Sequence, residues 1–570
     1  MLLNCSNTRK GKERTMRKFL PAAVILLVVA LLYIPTLQTG FLTDDFLDCS
    51  HTLREVPVAF STQYGGGYRP LMIFSWAMDN RIWSAENQTG WHVTNLILLL
   101  VSSLLVYIFL GRFLRKREAI YFGTALFMFS YPMAIAVARV SWSTTILALI
   151  PFLASLILIS IWSRNSGKKW MPFAAAFLFL ISLLVKETAL AALPVMAMVA
   201  FCSSENESKW RKTIFIIITC LVPMVIYGVL RYRAMGFGVN YAESTTFGPF
   251  ILRNILLQNS IVWQPWLFGA SARLLVLIYP VAVYFGIPKW KNRILVFSLG
   301  IFLMLPVSNL TLRPDFSVAA LPGSALFLGF LVQRLHGRKF LYPALAVFFA
   351  GIILFSIDEI RTLGIASDYL DRTTLRLAEI ADELPGDGPL FVDGVKNEIG
   401  GYGTFWPGEY MAPMECLGIR PGRYVTGIDR IWEALSTEND SGFLIFLSND
   451  ASNYISVPVS LDMYTELPDT ALLLTGSIPA GNLILYPSCL GTEESGALNL
   501  VSQIYPDSVI TIVPEVRGRT ALYDLAAAPL WLTSDETLVI LVESPMQLVF
   551  SSRNVSLERA LERMEAKQEH

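Results

Sequence analysis

The sequence predicts a polytopic α-helical membrane protein that ends in a C-terminal α/β or α+β domain, and three observations predict it. The 570 residues are 54% hydrophobic and only 16% charged, with mean hydropathy +0.51, more apolar surface than one soluble core needs. Apolar runs of near-spanning length recur from residue 19 to residue 357. Beyond them the composition shifts to short apolar runs punctuated by Gly, Pro, Asp and Ser. A formal net charge of +0 and a pI of about 6.9 leave no global field to attract nucleic acid.

Residues 1–18 are basic through Arg9, Lys10, Lys12, Arg14, Arg17 and Lys18, which sets a cytoplasmic N-terminus. The run from Phe19 to Thr36 is a retained span rather than a signal peptide, because Leu37-Gln38-Thr39-Gly40 is a poor cleavage site. A first outer loop follows at 37–91. Apolar runs then recur at 93–110, 119–137, 144–161, 171–185, 188–201, 214–230, 274–287, 294–307, 318–331 and 341–357, giving ~11 spans in a transmembrane domain over 19–357. Basic clusters at Arg112/Arg115/Lys116/Arg117, Arg164/Lys168/Lys169, Lys209/Arg211/Lys212, Lys289/Lys291/Arg293 and Arg334/Arg338/Lys339 all fall on the cytoplasmic side if 251–270 does not cross. That segment carries Arg253, Asn254, Gln258, Asn259 and Gln264, which suits an interfacial or re-entrant helix.

A charged helical linker is expected at 358–384 and an extracytoplasmic soluble domain at 385–556, followed by a charged helical tail at 557–570. Strand-like runs lie at 389–393, 442–447, 471–476, 483–486, 509–514 and 538–542, with a helix at 497–505. Cys416 and Cys489 fall in this domain and are candidates for a disulfide.

Chemistry concentrates in the first outer loop. Asp44 and Asp45 stand just after the first span, Tyr68-Arg69-Pro70 follows, and His92 and Asn95 open the second span. Adjacent carboxylates followed by an arginine suit deprotonation of a hydroxyl and retention of a phosphate. Thr43-Asp44-Asp45 equally suits the cap of a loop helix. Lys186-Glu187 sits between two apolar runs, either as a self-satisfied pair at a hairpin tip or as a further phosphate site. Arg54, Arg69, Arg81, Arg139, Lys186, Arg231, Arg233, Arg253, Arg273 and Arg313 stand on the outer side against the topological bias, and a shared anionic ligand accounts for the set better than snorkelling. His51 and His92 alone make no metal site, and no cysteine pair has metal-ligand spacing; a divalent metal is unsupported. No phosphate-binding loop, dinucleotide fingerprint or nucleophile elbow is present.

The diacidic pair, the Tyr68-Arg69-Pro70 element, His92 with Asn95, and Lys186-Glu187, in this order, resemble the GT-C superfamily of membrane glycosyltransferases. The nearest likeness is to the protein O-mannosyltransferases and their bacterial relatives, and a more distant one is to the lipid A aminoarabinose transferases. Leu305-Pro306-Val307-Ser308-Asn309 resembles a late-loop Pro-x-x-Asn of the tetratricopeptide-linked type, which brings in Asn309. The resemblance implies that Asp44 is the catalytic base with Asp45 beside it. Arg69, Lys186, and Arg231 or Arg233 would neutralise the departing phosphate, with Tyr68, His92, Asn95, Glu187 and Asn309 supporting. The donor is then a polyprenyl-phosphate sugar, mannose or a similar hexose, because nucleotide sugars are absent from the outer face. Transfer inverts the anomeric centre. The partners are the bilayer, the lipid-linked donor and a protein or glycolipid acceptor, in a bacterial inner membrane. Beyond Asn309 the chain reads Arg313-Pro314-Asp315-Phe316 and lacks tetratricopeptide repeats, so the acceptor stays open. A lipid or glycan flippase and a non-catalytic scaffold are the competing classes.

Overall fold

A computed structural model describes residues 31–64, 67–165, 168–204, 208–236, 250–263, 278–307 and 314–386 without a break, with Val29 and separate short stretches between 388 and 551. The chain divides into two compact units, Met1–Gly364 and Ile365–His570.

The first unit is helical. After a 3-10 turn at Ile34–Gln38, the outer loop folds into α1 (Asp44–Cys49), α2 (Val56–Ala59) and α3 (Pro70–Trp83). Pro57 and Pro70 stand in the first turn of their helices, where a missing N–H costs nothing. The chain continues as α4 (Gln88–Phe113), α5 (Arg117–Phe129), α6 (Tyr131–Ala138), α7 (Thr144–Asn165), α8 (Met171–Val185), α9 (Ala192–Ser203) and α10 (Lys209–Met235). Then come α11 (Phe250–Trp263), α12 (Ile278–Gly286), α13 (Trp290–Ile301), α14 (Pro314–Ser317), α15 (Leu321–Leu335) and α16 (Leu341–Glu383).

Among the described residues five helices are long and apolar enough to cross a membrane: α4, Ser141–Arg164, α10, Val318–Leu335 and α16. A sixth arises if α5 and α6, bent by 47°, count as one span. Several of the ~11 runs read from the sequence are thus shorter helices, such as α8 and Glu187–Ser203. The expected first span at 19–36 lies largely outside the described residues.

The α5–α6 break has a local cause. Ser130 is extended, and Pro132 in the first turn of α6 removes a helical N–H. Carbonyls near the break find side-chain donors instead: Tyr33 hydroxyl to Met128 O at 2.5 Å and Ser356 hydroxyl to Phe129 O at 3.3 Å. The helix pair α7–α8 packs against α4 and α10, while α15 lies along α5 and α13. Gly123 permits the α5–α15 approach, since a Cβ there would stand 2.7 Å from Ala325 O.

Within the expected non-crossing stretch, α11 is a 14-residue helix. It buries Ile255, Leu256, Leu257, Ile261 and Val262 in the bundle and leaves Arg253 exposed. The expected last span and the linker are one unbroken helix, α16, of 43 residues.

In the second unit, β1 (Leu390–Asp393) lies parallel between β4 (Val425–Gly427) and β5 (Ser441–Leu447), with β6 (Tyr454–Ser460) antiparallel on β5. Leu390, Phe391 and Val392 are all buried, as a parallel strand covered on both faces requires. A hairpin pairs β2 (Glu398–Ile399) with β3 (Tyr402–Gly403), and α17 is Met411–Cys416. Two antiparallel sheets complete the unit. One joins β7 (Leu472–Leu474), β8 (Asn482–Leu485), β11 (Glu515–Arg517) and β12 (Thr520–Asp524); the other joins β9 (Leu498–Ser502), β10 (Val509–Ile512), β13 (Thr537–Leu541) and β14 (Gln547–Ser551). All six strand-like runs contain strands. The expected helix at 497–505 is instead β9, because Leu498–Ser502 pairs on one edge with β10 and on the other with β13. Cys489 and the tail at 557–570 lie outside the described residues.

Candidate active site

The site grows from the turn that enters α1. Phe41, fully buried, meets Phe46 and Trp91 edge-on with ring centres 5.7 and 5.9 Å away, which anchors the turn to the start of α4. Asp45 N–H bonds Leu42 O at 2.9 Å and Phe46 N–H bonds Thr43 O at 3.2 Å, closing the first helical turn. Thr43 takes φ 39° and ψ −106°. A β-branched residue adopts a positive φ only where its surroundings impose it, at a cost on the order of 1–3 kcal/mol.

The two adjacent acids differ sharply. Asp45 is 1% exposed; its Oδ2 accepts Leu42 N–H at 3.1 Å, and its Oδ1 accepts Ser141 N–H at 2.7 Å from 96 residues away. A carboxylate with backbone donors on both oxygens holds structure together. Asp44, the first residue of α1, is partly exposed. Thr43 holds the N-cap position of α1 and its side chain makes no cap, while Asp45 reaches back to the N–H of Leu42.

Arg139, which the sequence left unassigned among the outer basic residues, closes the same turn from outside. It is 5% exposed, and its Nη2 donates to Thr43 Oγ1 at 2.7 Å and Leu42 O at 3.3 Å. Its guanidinium stacks 4.6 Å over the Trp142 ring. The available signal was an arginine directly behind an outward-leading apolar run, in Arg139-Val140-Ser141-Trp142.

One turn along α1, buried Asp48 accepts the Tyr64 hydroxyl at 2.9 Å. Burial, reinforced by the charge of Asp45, pushes the Asp48 carboxyl well above the usual range, against the pull of Tyr64 and Arg139. Tyr64 lies within electrostatic reach of Asp48, Asp44 and Arg69, which ties the α1 acids to the next element.

Tyr64 and Gly67 exchange backbone hydrogen bonds at 2.9 and 3.0 Å, and this turn delivers Arg69 to Glu187. Arg69 Nε donates to Glu187 Oε2 at 2.6 Å while Nη2 bonds Oε1, a two-point pair across 118 residues. Gly67 makes room for it: a Cβ there would stand 2.6 Å from Arg69 Nε and 3.0 Å from Glu187 Oε1. Lys186 faces elsewhere, donating Nζ to Thr145 Oγ1 at 2.6 Å and lying 5.7 Å from the Phe316 ring centre. The hairpin-tip alternative of a self-satisfied Lys186-Glu187 pair is thereby overturned, because each side chain reaches a different element.

Tyr68 is fully buried; its hydroxyl donates to Phe60 O at 3.2 Å, and its carbonyl accepts the Tyr227 hydroxyl at 3.3 Å. Tyr227 is in electrostatic reach of Glu187, Arg231 and Arg69, so the far end of α10 joins the cluster. Arg233, two residues on, is exposed. His92 and Asn95 are buried braces of α4: His92 Nε2 lies 3.4 Å from Thr39 Oγ1, and Asn95 Nδ2 donates to Val137 O at 3.0 Å. Asn309 lies outside the described residues. His51 stands 2.6 Å from Glu55, away from His92, and among the described residues no three His, Cys, Asp or Glu side chains assemble as a metal site.

No family model matches the chain, and no curated protein matches it. Solved structures do. ArnT from Cupriavidus metallidurans bound to undecaprenyl phosphate aligns at TM-score 0.50 and 12% identity, over 81% of this chain and 96% of that one. The same protein in the apo state aligns at TM-score 0.50 and 11% identity, over 85% and 100%. The fold is that of the GT-C glycosyltransferases. Arabinofuranosyltransferase AftD from Mycobacteria aligns at a lower TM-score of 0.42, over 89% of this chain and 40% of that one, at 14% identity. Tyr64 links the diacidic turn electrostatically to Arg69, and Tyr227 links Arg69 and Glu187 to Arg231 at the end of α10.

Proposed function

We propose that this chain is a membrane glycosyltransferase that moves a sugar, mannose or a similar hexose, from a polyprenyl-phosphate carrier to an acceptor hydroxyl. The observation that carries the reading is the division between the two acids: Asp45 is locked by backbone donors, while Asp44 beside it is partly exposed, as a base that must meet an acceptor requires. The undecaprenyl phosphate held by the structural neighbour ArnT supports the donor class.

In this reading Asp44 takes the proton of the acceptor hydroxyl as its oxygen attacks the anomeric carbon. The new C–O bond forms on the face opposite the breaking bond to phosphate, so the configuration inverts and polyprenyl phosphate leaves as an anion. Lys186 and Arg231 meet the charge that develops on it. Arg69 shares its charge with Glu187 and contributes less than an isolated arginine. Exposed Arg233 attracts the carrier at longer range. Asp45, Tyr68, His92, Asn95 and Glu187 hold these groups, and Asn309 is assigned a supporting role from the sequence resemblance alone. The loop faces the extracytoplasmic side of a bacterial inner membrane, with residues 1–18 cytoplasmic and 385–556 outside; the acceptor is a protein or a glycolipid.

The test is transfer of radiolabelled sugar from polyprenyl-phosphate mannose and alternative donors into membranes bearing the wild type or Asp44→Asn at equal expression. Incorporation that disappears in Asp44→Asn supports the reading. Incorporation that survives removes Asp44 as the base, and none from any donor favours a flippase.

A further inference from the structure

Thr43 immediately precedes Asp44 and is held at φ 39°, a conformation threonine does not choose. Its neighbours over-determine it. From one side, Asp45 Oδ2 takes Leu42 N–H; from the other, Arg139 Nη2 binds Leu42 O and Thr43 Oγ1. Both clamps are rooted in the same short segment, since Asp45 Oδ1 also takes Ser141 N–H and Trp142 carries the Arg139 guanidinium. Buried Arg139 has no carboxylate in ion-pair contact among the described residues, and both bonds of its Nη2 go to the two residues before Asp44.

From this arrangement we propose that Arg139 is a positioning residue that aims Asp44 by holding Thr43 in its strained conformation. It acts on the reaction through the backbone of the α1 turn, not by touching donor or acceptor. The proposal rests on Asp44 being the base. Relaxing Thr43 to negative φ rotates the peptide ahead of Asp44 and displaces its carboxylate, and a displacement of about 1 Å costs about 10²-fold in rate. Glycine at 43 reaches positive φ without steric penalty, so it should remove part of the requirement for Arg139.

The test is a double-mutant cycle of Arg139→Ala, Thr43→Gly and the pair, with Arg139→Lys alongside, in full-length protein purified in detergent. The readouts are kcat, donor KM, binding of undecaprenyl phosphate, and hydrogen exchange of amides 42–46. Arg139→Ala should lower kcat by about 10²-fold, with donor KM and lipid-phosphate binding unchanged and exchange of the α1 turn accelerated. Adding Thr43→Gly should recover roughly tenfold of that rate and slow the exchange again. A double variant as inactive and as fast-exchanging as Arg139→Ala overturns the proposal. So does a raised KM with weakened lipid-phosphate binding, which would make Arg139 a donor contact. Arg139→Lys, which keeps the charge, should retain folding if the alanine does not and show the same rescue by Thr43→Gly. Asp44→Asn, assayed in parallel, separates the two ideas: if it stays active the base assignment falls, and rescue of exchange still decides whether Arg139 fixes the turn.

Discussion

Replacing each acid of the pair by its amide should separate fold from chemistry. Asp45 is 1% exposed and holds two backbone N–H groups, at 3.1 and 2.7 Å, one of them on a segment 96 residues away. A hydrogen bond to a charged group contributes about 1.5–3 kcal/mol, and a buried donor left without a partner costs a similar amount. Asparagine keeps one acceptor oxygen but turns its NH2 toward the second N–H, so one bond is lost and two donors oppose each other. Asp45→Asn should therefore lose about 2–4 kcal/mol. At Asp44, partly exposed in the first turn of α1, the amide keeps the side chain's size and one acceptor oxygen, and the charge–dipole contribution it removes is below about 1 kcal/mol. The assay is thermal unfolding in detergent followed by size-exclusion chromatography, with sugar transfer measured at a temperature where every variant is folded. Asp44→Asn should be inactive and melt closer to the wild type than Asp45→Asn, which should melt early. If Asp45→Asn matches wild-type stability, its carboxylate does not hold the α1 turn to Ser141, and the assignment of roles is refuted.

Three further outcomes follow from the same loop. Burial pushes the Asp79 carboxyl up to about 6, against the Thr94 hydrogen bond at 2.8 Å; the folded state binds this proton more tightly, so its contribution is complete below about pH 4 and lost as pH rises through 6. Asp79→Asn should flatten the decline of stability between about pH 4 and 6 and stabilise the protein at pH 7 by up to about 3 kcal/mol, read from melting curves across that range. Gly67→Ala forces a Cβ to 2.6 Å from Arg69 Nε and should cost about 1–3 kcal/mol, while the same change at Gly228, inside α10 with open space around it, should stabilise by about 0.5–1 kcal/mol. Tyr64→Phe leaves buried Asp48 without its hydroxyl donor and should cost about 1–3 kcal/mol in denaturant unfolding, a loss that Asp48→Asn should largely restore.

Legibility of the sequence followed the range of the interactions involved. Apolar runs and the turn-bounded strands of the second unit are local patterns, and they located most helices and six of the strands. Failures came where partners far along the chain decide. The Leu498–Ser502 segment reads as a helix alone and becomes a strand because two other strands flank it. The different roles of Asp44 and Asp45 are invisible in an Asp-Asp dipeptide, because Ser141 makes the distinction. Arg139 was noticed only as a charge out of place, since its target is two residues nearly a hundred positions earlier. The Arg69–Glu187 pair had the opposite history: both residues were singled out, but as separate phosphate and supporting groups rather than as each other's partner.

The tethers described above also order the protein's birth. Asp45 waits for Ser141, Arg69 for Glu187, and the Tyr68 carbonyl for Tyr227. A chain emerging from the ribosome presents Asp44 early but cannot fix it until the segment after α6 arrives, and it lacks the Tyr227 tether until α10 is in place. A chain ending before α10 would lack the Tyr227 bond to Tyr68, so the loop's last tether depends on a residue 159 positions beyond it.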